Sequence, residues 1–226
     1  MVGASYEGAQ HPFGNEFGEP VCFTKYMFDM MRPLLLKQEY VEDFIVYEGQ
    51  EFDIDLDEIR QKVFTNQPKG QINRWVFHAF PQMSTDLSKG WVNADETKLF
   101  EDPFIVINFT LRHRNPVVNY FFLKKCQDKI IFAGLKEEKD YFCNQFKLDI
   151  PLLEVKDFLE LAGIIKGCKF FLGNASMCFQ LAEGLKVPRI LELFPNMPNV
   201  IPIGENAFDF YHQSEVEYYF EKLLHK

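Results

Sequence analysis

The chain has 226 residues, 47% of them hydrophobic and 25% charged, which gives it material for a substantial core in one large domain or two small ones. Its net charge of −9 argues against broad binding to nucleic acid or to an anionic membrane, while leaving room for a local basic cluster that grips one phosphate group. The five cysteines (Cys22, Cys126, Cys143, Cys168, Cys178) are odd in number, widely spaced and free of C-x-x-C, so they indicate reduced thiols rather than a disulfide framework or a zinc site.

The first stretch lacks a basic region followed by an apolar one, and no apolar run approaches the length of a membrane span, so the expectation is a cytoplasmic protein without an integral membrane segment. Residues 1–20 are rich in glycine and proline and read as loop, either a leader or a segment lining a cleft. Thr24 to Leu36 has helical apolar spacing with Thr24 as a candidate N-cap, and Pro33 is expected to kink or end that helix. Val41 and Phe44 to Tyr47 suggest a strand. The acidic run at Asp53, Asp55, Asp57 and Glu58 lacks the glycine and terminal glutamate of a calcium loop, so a solvated acidic face is expected and no metal site. Ile72 to Phe80 has a helical period, with His78 beside its buried face and Pro81 closing it. Ser84 to Trp91 reads as a connection.

From residue 104 onward strands alternate with helices. Phe104 to Phe109 is a continuous apolar run, as in a strand buried on both faces, followed by the polar loop Thr110 to Pro116. Val117 to Lys124 reads as helix, Lys129 to Ala133 as a strand ending at Gly134, Lys136 to Phe146 as an amphipathic helix, and Pro151 to Val155 as a short strand. Asp157 to Lys166 is a further helix. Then come an apolar run at Phe170 to Leu172, the small polar loop Gly173-Asn174-Ala175-Ser176, a helical pattern through Leu185, and a second apolar run from Ile190 to Phe194. Glu215 to Leu224 closes the chain as an amphipathic helix. This alternation predicts an α/β fold with a Rossmann-like parallel sheet.

Two loops that follow strands carry the chemistry. Arg112-His113-Arg114 is the one dense cationic cluster after a strong strand, and two planar guanidiniums suit a bidentate grip on a diphosphate. The same arginines would equally serve as surface partners for the acidic excess. Gly173-Asn174-Ala175-Ser176 lies where a strand hands over to a helix N-terminus, a place suited to phosphate. Asn174 and Ser176 offer side-chain hydrogen bonds there, and either would also cap the helix. The chain has no P-loop, no G-x-G-x-x-G, no G-x-S-x-G and no H-E-x-x-H, which speaks against P-loop kinases, simple dehydrogenases, α/β-hydrolases and zincins.

The stretch Phe171-Leu-Gly-Asn-Ala-Ser-Met-Cys-Phe-Gln-Leu-Ala-Glu-Gly-Leu-Lys-Val-Pro188 resembles the C-terminal domain of the heptosyltransferase-like glycosyltransferases of the ADP-heptose:lipopolysaccharide type. There the corresponding stretch reads roughly F-[VI]-G-N-D-[ST]-G-P-M-H-L-A-A-A-L-G-V-P. Asn174 and Ser176 match, while Ala175, Met177 and Gln180 stand where that pattern has aspartate, glycine and histidine. The resemblance covers about residues 104 to 200. It implies a GT-B-like fold, with a reduced, smaller N-terminal α/β domain on the acceptor side (residues 1–100) and a Rossmann-like nucleotide-sugar-binding domain (residues 101–226). It further implies a metal-independent glycosyltransferase that moves a sugar from a nucleotide-sugar donor to a glycan or other hydroxyl acceptor. Arg112, Arg114, Gly134, Asn174, Ser176 and Glu192 would make up the donor site, with Glu192 reaching a ribose or sugar hydroxyl. No position carries over as a catalytic base, since Gly14-Asn15-Glu16 is only a loose echo of that family's Leu-Gly-Asp. A non-catalytic binding or assembly protein on the same fold, or another sugar-nucleotide enzyme such as an epimerase, stands beside this expectation.

Overall fold

A computed structural model describes residues 25–56, 58–63, 71–196 and 198–226. The candidate N-cap Thr24, the loop 1–20, the turn 67–70 and Cys22 lie outside the described residues. Six parallel strands form one sheet in the order β3-β2-β1-β4-β5-β6. They are β1 (Ile105–Asn108), β2 (Ile130–Ala133), β3 (Leu152–Leu153), β4 (Phe170–Asn174), β5 (Arg189–Glu192) and β6 (Ala207–Phe210). In register, Ile105 pairs with Ile130 on one side and with Phe170 on the other, and Phe171 pairs with Arg189. Every residue of β1, β2, β4 and β5 is buried. That explains the apolar runs of β1, β2 and β4: helices cover both faces of a parallel sheet, so neither side chain of an alternating pair meets water.

Alternation along β1 separates two cores. Ile105, Ile107 and Phe109 point into the first, together with residues of the 3₁₀ segment Tyr120–Lys129, of α4 (Lys136–Phe146) and of α7 (Gln213–Leu224). Phe104 and Val106 point into the second, under α5 (Phe158–Gly167), α6 (Met177–Leu185) and Leu34 of α1 (Lys25–Leu36). Cys126 and Cys143 lie in the first core, Cys168 and Cys178 in the second.

Residues before β1 lie against the second face. Helix α1 packs on α5. An extended strap over residues 91–97 crosses α5 and α6: the amides of Trp91 and Val92 donate to the Gly184 carbonyl, and that of Thr97 donates to Gly163. Glycines permit this approach. A Cβ on Gly167 would sit 2.3 Å from the Thr97 carbonyl oxygen, and one on Gly184 would sit 2.5 Å from Val92. Gln38 fastens the strap to α1, donating to Leu34 and Asn93 carbonyls and accepting from the Asn93 amide. Two short helices, α2 (Glu58–Val63) and α3 (Trp75–Ala79), gather a small cluster around Ala79 and Phe80.

Several elements differ from the sequence expectation. Pro33 lies inside α1, which runs on to Leu36. Among the described residues the expected strand at 44–47 is reduced to a bridge at Val46, and residues before β1 contribute no strand. The helix expected at 72–80 is broken into 3₁₀ turns at Ile72–Arg74 and Pro81–Met83 around α3. The helix expected at 117–124 begins later, where Asn119 caps the Phe121 amide, and winds as 3₁₀ with a kink at Cys126. Strand β6 was not anticipated.

Candidate functional site

The sheet order turns back between β1 and β4, so the loop after β1 leads to the first face and the loop after β4 to the second. The crevice between them, at the carboxyl ends of the strands, is where open α/β sheets take ligands. The expected loops 110–116 and 173–176 both lie at this point.

Asn174 is the tie between them. It ends β4 fully buried, accepts from the Thr110 amide at 3.0 Å, and donates to the carbonyls of Thr110 (3.1 Å) and Arg112 (2.7 Å). Its side chain is therefore occupied in joining the loops. Ser176 caps α6: its hydroxyl accepts from the Phe179 amide at 3.1 Å. The amides of Met177 and Cys178 ahead of it are first-turn groups that helix geometry leaves without intrahelical acceptors. Gly173 is closed in, because a Cβ there would meet the Asn108 carbonyl at 2.3 Å.

The two arginines are held differently. Arg112 has its carbonyl pinned by Asn174 while its exposed guanidinium makes no ion pair among the described residues. It lies near Glu138, whose carboxyl is raised by burial and drawn back by the Leu135 amide and the Arg112 charge. Arg114 is turned inward, with Nε 3.0 Å from Glu192 Oε1. Glu192 also accepts from the Asn115 amide (2.9 Å) and the buried Tyr120 hydroxyl (2.5 Å), so both carboxylate oxygens are engaged within the protein. Burial and the adjacent Glu192 push the Tyr120 hydroxyl well above its ordinary range.

His113, between the arginines, has a left-handed backbone (φ 53°) and packs on Phe194 at 5.5 Å between ring centroids. Burial, reinforced by Arg112, lowers its pKa, which keeps the ring neutral near pH 7. It borders a small hollow with Ala175, Glu192, Phe194 and Asn199. Gly134 (φ 151°) lies on the other side, after β2, where a Cβ would strike the Asn108 amide at 2.8 Å and Glu138 at 2.9 Å. Asn108 donates to the Ala133 carbonyl, and its buried Oδ1 has no partner.

The structure thus brings Arg112, Arg114, Asn174, Ser176 and Glu192 to one end of the sheet, with Gly134 at its β2 side. Sequence reading passed over Asn108, Asn115, Tyr120 and Glu138. Asn108 had a signal, a polar residue within an apolar run; Asn115 and Tyr120 bond Glu192, distant in sequence, and Glu138 adds the charge of distant Arg112 to a local bond with the Leu135 amide. Burial pushes the thiols of Cys168 and Cys178 up to about 12, so neither is a ready nucleophile. Among the described residues no His, Cys, Asp and Glu side chains gather as a metal site, and no helix is long and apolar enough to cross a membrane. The sequence matches no protein-family model and none of the curated proteins.

Proposed function

We propose that this chain binds a nucleotide sugar at the β1–β4 crevice and serves as the donor-side part of a GT-B-like glycosyltransferase acting on a glycan or other hydroxyl acceptor in the cytoplasm. The observation that carries the reading is the pairing of an uncommitted Arg112 with the start of α6, two loops that Asn174 ties together. The leaving diphosphate would gain charge as the sugar departs. A guanidinium on a loop that Asn174 holds, together with first-turn amides, would stabilise that charge without a metal. The resemblance over Phe171 to Pro188 points the same way, to a sugar nucleotide rather than a free nucleotide.

Calorimetric titration of the full chain with a panel of nucleoside diphosphates and sugar nucleotides tests this. Binding at one site is expected, with Arg112→Ala weakening it by about tenfold or more, the usual weight of a charge-assisted contact. A folded protein that binds none of the panel at millimolar concentration overturns it.

The inward Arg114–Glu192 pair favours a second reading, a non-catalytic descendant that keeps the fold for binding or assembly. Product analysis separates the readings. Transfer to an acceptor supports the first, binding without turnover supports the second, and conversion of the sugar nucleotide without acceptor marks an epimerase.

A further inference from the structure

Arg114 is only partly used by the pair that holds it. Its side chain is 15% exposed against 0% for Glu192, and its guanidinium carbon lies over the rings of Phe109 (4.8 Å), Phe142 (5.4 Å) and Tyr120 (5.8 Å). The fully buried Arg189–Glu183 pair, an internal strut, is also joined through Nε, and there both Nη groups are spent on the Val187 and Ile203 carbonyls. At Arg114 the contact is through Nε alone. The two Nη groups have no acceptor among the described residues, and neither is sealed from solvent.

Glu192 is itself immobile. Oε1 takes the Arg114 Nε–H and the Asn115 amide, Oε2 takes the Tyr120 hydroxyl, and Asn115 is anchored in turn on the Tyr211 carbonyl at 2.8 Å. These three donors spread the carboxylate charge away from the fork. The three surrounding rings and the Glu192 bond confine the side chain, so part of the rotamer freedom an arginine ordinarily loses on gripping a ligand is already lost.

We propose that Glu192, Tyr120 and Asn115 aim Arg114 rather than neutralise it, setting its two Nη groups as a prepared fork for a phosphate of the ligand beside Arg112. This rests on the diphosphate reading given above. It makes Glu192 and Tyr120 positioning residues that act through Arg114, not contacts to the ligand.

Inorganic pyrophosphate is the probe, titrated into the isotopically labelled full chain while arginine side-chain and backbone resonances are followed by NMR. Before ligand, the Arg114 Nε–H exchanges slowly. On titration the Arg114 Nη signals shift with those of Arg112 and the Met177 and Cys178 amides, along one isotherm. Tyr120→Phe keeps the ring but frees the carboxylate, and weakens pyrophosphate by about tenfold; Arg114→Lys, which keeps charge and loses the fork, weakens it at least as much. Should Arg112 and the α6 amides shift while Arg114 stays still and Tyr120→Phe binds like the parent, the crevice takes a diphosphate and Arg114 is a strut, which overturns the inference alone. Should neither pyrophosphate nor any nucleoside diphosphate shift anything, the diphosphate reading falls and the inference with it. Where Tyr120→Phe or Arg114→Lys fails to fold, the parent's own Arg114 response still decides.

Discussion

Glu183 and Arg189 meet at 2.5 Å with side-chain exposures of 1% and 0%. The Glu183 carboxylate also accepts from Lys186 and from the Ile203 amide, and Arg189 donates onward to the Val187 and Ile203 carbonyls. The cluster clamps the loop before β6 against α6. Removing one partner strands a charge away from water. Glu183→Ala is therefore expected to cost about 3–5 kcal/mol in urea unfolding, and Glu183→Met with Arg189→Met distinctly less. His113 supplies a second residue-level prediction. Its folded pKa lies below its ordinary 6.5. The unfolded chain therefore binds the proton more readily, and His113 subtracts stability as pH falls through the interval below 6.5. An NMR titration should place its midpoint in that interval, and Arg112→Ala should raise the midpoint only part of the way, because burial is the larger cause.

The strap over residues 91–97 is the element most dependent on what is absent, namely side chains on Gly163, Gly167 and Gly184. Gly167→Ala and Gly184→Ala should each cost about 1–3 kcal/mol in thermal or urea unfolding, the usual penalty of forcing atoms into packed space. Parent-like stability in both would mean that the strap moves aside freely. Legibility in the sequence was uneven at this scale. The inner strands could be read because burial on both faces leaves an uninterrupted apolar run. Strand β6 escaped because it is an edge strand of four residues, one of them Asp209, and mostly half-buried. Val117 to Lys124 carried an apolar pattern that suits a helix, yet Pro116 and the Asn119 cap delay the start. At the site, residue types and strand-end position pointed to the two loops that Asn174 joins at the β1–β4 crevice. What could not be read was allegiance: Arg112 and Arg114 look alike in sequence, and only Glu192, distant along the chain, draws one of them inward.

Across the whole molecule the sheet is a wall between two cores, and the segment before β1 completes the second of them, with Leu34 and Ala94 packed among residues of α5 and α6. Both tryptophans, Trp75 and Trp91, precede β1, so their fluorescence reports on that segment while far-ultraviolet circular dichroism weighs the sheet and its helices. If the segment and the sheet are one cooperative unit, the two signals should lose structure at one denaturant midpoint. Two separated midpoints would instead mark residues before β1 as an independently folding unit.

The division of the thiols gives the molecule a native pair of stopwatches. Cys126 and Cys143 are buried on one side of the sheet, Cys168 and Cys178 on the other. In a Cys22→Ser background, the rate at which a small alkylating reagent captures each pair measures how often that side opens. The sheet's two coverings can thus be timed separately, with no probe added to either.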